Sequence, residues 1–185
     1  MNILDLILTR RTIHSFATDT VSKEIIEKAV LAGIHAPNHK QTWPWRFYNL
    51  KYETRLALGK LDAQIKAKSS ATPTSDAAIK SFEHKFMEHG AILVLGLKRT
   101  EMPKQAREDY ASVACAVQNM SLYLASEGYG TKWSTGKITT LDDTYELLKI
   151  DQSEIEIVGF LWIGKAKAEP PMPVRPDLDT FLFEI

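Results

Sequence analysis

Arg10, Arg11 and Thr12 stand together at the end of a short apolar-periodic segment. Two guanidinium forks and a hydroxyl make a suitable donor set for a phosphomonoester, because each fork can contact two oxygens and the hydroxyl adds one more donor. A solvated surface cluster accounts for the same residues, and spacing alone leaves both readings open. A second polar segment, His35-Ala36-Pro37-Asn38-His39-Lys40-Gln41-Thr42, leaves a helix through proline and enters Trp43-Pro44-Trp45-Arg46-Phe47. His35 and His39 have the spacing of two metal ligands on a helix face, but Pro37 breaks the helix that would give that spacing meaning. His84 and His89 lack an obvious third ligand. Gly130-Thr131-Lys132-Trp133-Ser134-Thr135-Gly136-Lys137 fails as a nucleoside-triphosphate loop: one residue too many separates its glycines, and Ile138 stands where a magnesium-binding hydroxyl belongs. Gly128-Tyr129-Gly130 closes a helix instead of opening one, so it is no dinucleotide fingerprint. Cys115, among Val113, Ala114 and Val117, is expected to be buried and inert.

The elements that must position these residues follow from periodicity. Ile3, Leu4, Ile7 and Leu8 predict a helix, as do Ile25, Ile26, Ala29, Val30 and Ile34 behind a Ser22 N-cap. A strand is expected over Trp45 to Leu50, then a helix through Leu56, Leu61 and Ile65, and a surface loop between Lys66 and Asp76. Ile79, Phe82 and Phe86 share one face of a further helix, with Gly90 at its expected C-cap. Ala91 to Leu97 is apolar without alternation, as in a strand covered on both faces. Pro103 opens the longest helix, whose stripe of Tyr110, Val113, Ala114, Val117, Ser121 and Leu124 suits close packing at the centre of the molecule or at a subunit interface. Thr131 to Gly136 reads as a short strand or loop, Asp142 to Leu148 as a helix and Ile155 to Ile163 as a strong strand. The tail carries four prolines between Pro170 and Pro176 and ends in Phe181-Leu182-Phe183, which packs on its own subunit or reaches across to a partner. One domain spanning residues 1–185, with about four strands wrapped by five or six helices, is the expected organisation.

The chain balances 23 Lys+Arg against 23 Asp+Glu. No overall field draws it to nucleic acid or an anionic membrane. Its longest apolar run is far short of the roughly 20 residues that span a bilayer. The arginine pair follows the first apolar run instead of preceding it, unlike a secretory signal, and the single cysteine points to a reducing compartment, so a cytoplasmic location is expected.

Three segments in order resemble the nitroreductase family of FMN flavoproteins: Arg10-Arg11-Thr12, Ala36-Pro37 through Pro44-Trp45-Arg46-Phe47, and Gly128-Tyr129-Gly130-Thr131-Lys132-Trp133 after a long helix. Val158-Gly159-Phe160-Leu161-Trp162-Ile163-Gly164 is similar to the family's last core strand, and the short chain most resembles the small YdjA-like branch. The resemblance implies an α+β nitroreductase-like fold with a central, mostly antiparallel sheet, a homodimer with FMN at the subunit interface, and a C-terminal arm exchanged between subunits. It implies that Arg10, Arg11 and Thr12 hold the flavin phosphate and pyrimidine edge, while His35 and His39 reach the flavin of the other subunit. Lys132, Trp133 and Ser134 would lie along the isoalloxazine, with Thr135-Gly136 facing N5, and Arg175 is the candidate late cation near the phosphate, in competition with Lys165 and Lys167. The implied activity is reduction of nitroaromatic or quinone-type acceptors by NAD(P)H, in ping-pong order, with the flavin carrying the hydride and a cation such as Arg10 or Arg11 offsetting the negative charge of the reduced ring. A flavin-storing or sensing protein without turnover, and a dehalogenating or ring-cleaving enzyme on the same fold, are the alternatives. His14 and Trp43 replace an arginine and a glutamine common in the family, and Trp43 either reshapes the flavin pocket or packs beneath its loop.

Overall fold

Asn2 begins the first helix with a reciprocal cap: its side chain accepts the Asp5 amide at 2.9 Å, and the Asp5 carboxylate accepts the Asn2 amide. This computed structural model describes residues 2–69 and 75–185, apart from the Phe82 side chain. Helix α1 covers Ile3–Thr9 and α2 covers Lys23–Ile34, the latter capped by the Ser22 hydroxyl as the sequence predicts. Strand β1 (Trp45–Asn49) leads to α3 (Tyr52–Ser69), α4 (Asp76–Lys85) and β2 (Ala91–Lys98). The long helix α5 (Pro103–Ser126) precedes β3 (Gly130–Ser134), α6 (Asp142–Leu148) and β4 (Ile155–Gly164).

Within the loop expected between Lys66 and Asp76, the residues from Lys66 to Ser69 are helical instead. Helix α3 runs to Ser69, and Ser75 already caps α4 through its hydroxyl, leaving residues 70–74 outside the described part. Gly90 is not a helix cap, because α4 ends at Lys85 and Phe86 turns into the core. Gly90 instead lets β2 begin against Val21, whose Cγ2 would lie 2.5 Å from an added Cβ.

The sheet order is β1-β2-β4-β3, and every pairing is antiparallel. Strand β2 is buried on both sides: Leu93, Leu95 and Leu97 face α2 and α5, while Ile92 and Val94 face the layer of α3, α4 and α6. The stripe on α5 seats Val113, Val117, Ser121 and Leu124, but Tyr110 is exposed. Cys115 is exposed as well, contrary to the expectation of burial.

Between Leu95 and Gly96 the β2–β4 register slips, so Gly159 opposes Leu95 while Ile157 opposes Gly96. Such a bulge leaves one residue's backbone outside the ladder. The indole of Trp133 donates to the freed carbonyl of Val158 at 3.2 Å. Gly159, at φ +148°, is required here, because a Cβ would sit 2.3 Å from the Trp133 Nε1.

Candidate functional site

Strand β3 is an edge of the sheet, and only its beginning is covered. Thr12 bridges Thr131 in parallel, and the Ile13 amide donates to the Thr131 carbonyl at 3.0 Å. Gly130 makes this approach possible: an added Cβ would lie 2.2 Å from Ile13 Cγ1. The segment that carries Arg10, Arg11 and Thr12 is thereby fixed beside the start of β3. From Lys132 onward, the outer edge of β3 has no strand partner among the described residues.

Arg10 and Arg11 line a cavity of about 600 Å³ with Gly128, Tyr129, Gly130, Pro170 and Met172. Arg11 donates to the Leu8 carbonyl at 2.6 Å and to the Arg10 carbonyl at 2.8 Å, closing the C-terminal end of α1. Burial, then the charges of Arg11 and of Arg175, lower the proton affinity of Arg10. The Arg10 guanidinium makes no hydrogen bond or ion pair among the described residues, and Glu169 lines the same cavity without pairing with it. Two guanidinium groups here, with a third near enough to act on Arg10 and one carboxylate, Glu169, give the cavity a net positive charge.

The predicted residues of β3 divide between the two faces of the sheet. Lys132 and Ser134 point to the α3, α4 and α6 layer, where they line a second cavity of about 430 Å³. Trp133 points to the α5 side, its ring 6.5 Å from that of Tyr110. The three side chains therefore do not converge, and what they share is the backbone of an open edge. The hydroxyl of Ser134 is already engaged as acceptor of the Trp162 indole.

His35 and His39 line neither cavity. His35 caps the C-terminal end of α2, and His39 sits in a short 3-10 turn over His39–Gln41, exposed and 3.9 Å from Glu108. This loop is built with unusual backbone: Lys40, Gln41 and Trp43 all have positive φ, near 58°, 53° and 48°. Non-glycine residues in this region persist only where their surroundings impose it. Here a buried network does so. Asp109, within α5, accepts from the Thr42 hydroxyl and from Gln105, while Ser112 donates to the Pro37 carbonyl and Asn38 holds the Trp43 amide. Trp43 itself is exposed and meets Trp45 edge-on at 6.2 Å, so it neither packs beneath the loop nor fills either cavity. His14, the other departure from the family's pattern, is exposed.

Sequence reading missed Lys85, the last residue of α4. Its ammonium lies 5.3 Å from the centre of the Trp162 ring, and burial, with repulsion from Lys66 and Lys132, lowers its proton affinity. The only sequence signal was a base in the last turn of a helix.

A model described as the nitroreductase family matches residues 7–165. A protein of Escherichia coli strain K12 named "Putative NAD(P)H nitroreductase YdjA" is 27% identical over 184 residues, covering 98% of each chain. One of Bacillus subtilis strain 168 named "Putative NAD(P)H nitroreductase YfhC" is 25% identical over 150 residues, covering 81% of this chain and 77% of that protein. Among solved structures, a nitroreductase-like family protein from Bacillus cereus superposes with a TM-score of 0.86 at 22% identity, covering 100% of this chain and 96% of that one. A "putative nitroreductase in complex with FMN" from Desulfovibrio desulfuricans gives 0.79, also at 22% identity, over 100% and 97% of the two chains.

Proposed function

The chain belongs to the nitroreductase family, and on that premise we propose that it transfers hydride from NAD(P)H to nitroaromatic or quinone-type acceptors in ping-pong order. It is an NAD(P)H-dependent, nitroreductase-type oxidoreductase with FMN as its cofactor. When bound, FMN supplies the ring that receives and gives the hydride, so no side chain need act as acid or nucleophile.

The unpaired Arg10 cation is the observation that carries the cofactor reading. A phosphate dianion in the cavity beside Gly128–Gly130 would offset the mutual repulsion of Arg10, Arg11 and Arg175. From that end the open edge of β3 leads toward Gly136, offering backbone donors and acceptors to the polar edge of a flat ring. Lys132 and Trp133 would flank that ring from opposite faces, and Ser134 would support it through its backbone. With the phosphate near Gly130, the cations beside the ring are lysines such as Lys132, and Arg10 and Arg11 serve the phosphate. Anaerobic mixing with NADH or NADPH tests the activity: the yellow flavin must bleach with at least one of them and regain colour when a quinone is added. A flavin that stays oxidised would assign the chain to storage or sensing. Arg10→Ala with Arg11→Ala should also weaken FMN binding by about 1.5–3 kcal/mol, the range for a hydrogen bond to a charged group.

We further propose a homodimer in which His35 and His39 approach the partner's flavin. The apolar residues Ile3, Leu4, Ile7 and Leu8 of α1 are exposed in the single chain, as are Phe181, Leu182 and Phe183 of the tail. Patches of this kind mark surfaces that pair. The tail would serve as an exchanged arm. Mixing an Arg10→Ala/Arg11→Ala variant with a His35→Ala/His39→Ala variant should restore one good flavin site per heterodimer, up to about half of normal binding. Absence of any recovered site would refute the sharing. A cytoplasmic location fits a single cysteine, and among the described residues no helix is long and apolar enough to cross a membrane. Cell fractionation checks it.

A further inference from the structure

The cavity behind β3 offers a ligand charge and no aromatic face. Phe86, Phe160 and Trp162 stand at its back, but each is fully or almost fully buried and packed against the other two, with His89 and Lys85 over Trp162. What remains around the space of about 430 Å³ is a set of amines: Lys66 from α3, Lys85 from the end of α4, Lys132 from β3, and Lys137 from the 3-10 turn over Lys137–Thr139. Lys66 is already taken, because it pairs with Asp62, the one carboxylate among the described residues of the lining. The ammonium groups of Lys85, Lys132 and Lys137 make no hydrogen bond or ion pair among the described residues.

Three cations thus share one cavity with no carboxylate left to pair with them. Burial, then the charge of Lys66, works against protonation of Lys85; Asp62 favours it, and Lys132 opposes it again. An anion with several oxygens relieves such a cluster, and phosphate is the anion that lysines commonly bind. Hydroxyls add donors: Ser134 accepts from the Trp162 indole and keeps its own proton to donate, and Thr135 is exposed beside it. The flavin phosphate is not this anion. The cavity of Arg10 and Arg11 shares no lining residue with this one, and the two flank opposite ends of β3, which at about 3.3 Å per residue lie roughly 13 Å apart. Of the other reactants in the proposed cycle, only NAD(P)H always carries phosphate.

We propose that Lys85, Lys132 and Lys137 dock a phosphate group of NAD(P)H. They bring the reductant to Ser134–Gly136, which form another wall of the cavity and beside which the proposed function places the flavin ring. The pyrophosphate of either dinucleotide and the ribose phosphate of NADPH present the same chemistry to the lysines. This subsite rests on the flavin-reductase reading.

The test gives the FMN-loaded enzyme three hydride donors: NADH, NADPH, and N-benzyl-1,4-dihydronicotinamide, which carries the same reacting ring without phosphate. Lys132 is left in place because it also flanks the flavin ring. In a Lys85→Gln/Lys137→Gln variant the second-order rate constant of flavin reduction by NADH or NADPH should fall about tenfold or more, the worth of a charge-assisted contact. Reduction by the benzyl donor, reoxidation by a quinone and FMN content should stay as in the parent. A fall with both dinucleotides assigns the pyrophosphate, and a fall confined to NADPH assigns the ribose phosphate; either supports the proposal. Lys137 is exposed, so Lys137→Gln alone spares the packing around Trp162 and should show the same selective fall by about two- to fivefold, with Lys137→Glu giving a larger one. Unchanged rates with both dinucleotides overturn the proposal. An equal fall with the benzyl donor, or loss of FMN, would assign the lysines to the flavin site and overturns it too. If no donor bleaches the flavin, the flavin-reductase reading fails separately, and equilibrium dialysis with NADP+ decides the subsite: binding weakened by Lys137→Glu supports it, and binding that is absent or unchanged overturns it.

Discussion

His89 lies between the rings of Phe16 and Trp162, with centroids 4.6 Å and 4.5 Å away, and its Nδ1 is buried without a hydrogen-bond partner. Burial is the main reason its pKa falls from 6.5 to about 4, and the Arg55 guanidinium adds to this. That guanidinium cannot move away, since it donates to the carbonyls of Phe86 and His89 at 2.7 and 2.6 Å. The folded imidazole is therefore neutral at a pH where the unfolded one is charged. Between about pH 6.5 and pH 4 the unfolded chain binds the extra proton, so this residue's contribution to stability is present above pH 6.5 and is lost as the pH falls toward 4. The full difference of 6.5 minus about 4, at 1.36 kcal/mol per unit, is about 3 kcal/mol. The ring is only partly buried and solvent screens it, which reduces the expected loss to about 1–2 kcal/mol.

His89→Phe keeps the aromatic stack and removes the titration. Urea unfolding of both proteins at pH 7.5 and pH 4.5, at fixed protein and FMN concentration, isolates the effect. The other histidines and the carboxylates titrate in both proteins and cancel in the difference. The parent should lose about 1–2 kcal/mol more than His89→Phe on acidification. Parallel losses would show that the imidazole is protonated in the fold at no cost, and the reasoning from its stacked, buried position would fail.

Two further outcomes follow from close contacts near the site. Gly130→Ala drives a methyl into Ile13 Cγ1, for which overpacking costs about 1–3 kcal/mol; thermal unfolding should show the loss, FMN binding should weaken with it as the Arg10–Thr12 segment shifts, and pairing with Ile13→Ala should give a combined cost smaller than the sum. Asp109→Asn keeps the shape of the network under the His39 loop but weakens a charge-assisted bond from Thr42, so stability should fall by about 1–3 kcal/mol, and FMN dissociation should quicken more than in an Asn119→Ala control elsewhere on α5.

The elements were legible in the sequence wherever the signal is local. Ser22 and Pro103 mark helix starts, and the apolar run after Gly90 marks a strand covered on both faces, because capping and periodicity act over one or two turns. Cys115 was misread for a reason the sequence did contain. At about 100° per residue it is turned about 200° from both Val113 and Val117, hence away from the buried stripe, and the small residues around it obscured the phase. The loop of positive-φ residues left no such trace, since Lys40, Gln41 and Trp43 are not residues that choose this backbone. Their conformation is imposed from α5, by Asp109 and Ser112, some 70 positions away.

The same separation explains what could be read of the site. Arg10, Arg11 and Thr12 are contiguous, so their chemistry was visible, whereas Arg175 and Lys85 acquire meaning only through the partners the fold brings to them. Nor could the sequence say that β3 is an edge strand. Its residues would read the same in the middle of a sheet, and strand order is settled by the pairing of β4 with both β2 and β3. Yet the edge is what leaves backbone groups of residues 132–134 available to a flat polar ligand, while Gly130 keeps the arginine segment close enough to hold such a ligand at one end. On this argument the cofactor site depends less on any one side chain than on a strand that is covered for its first two residues and open beyond them.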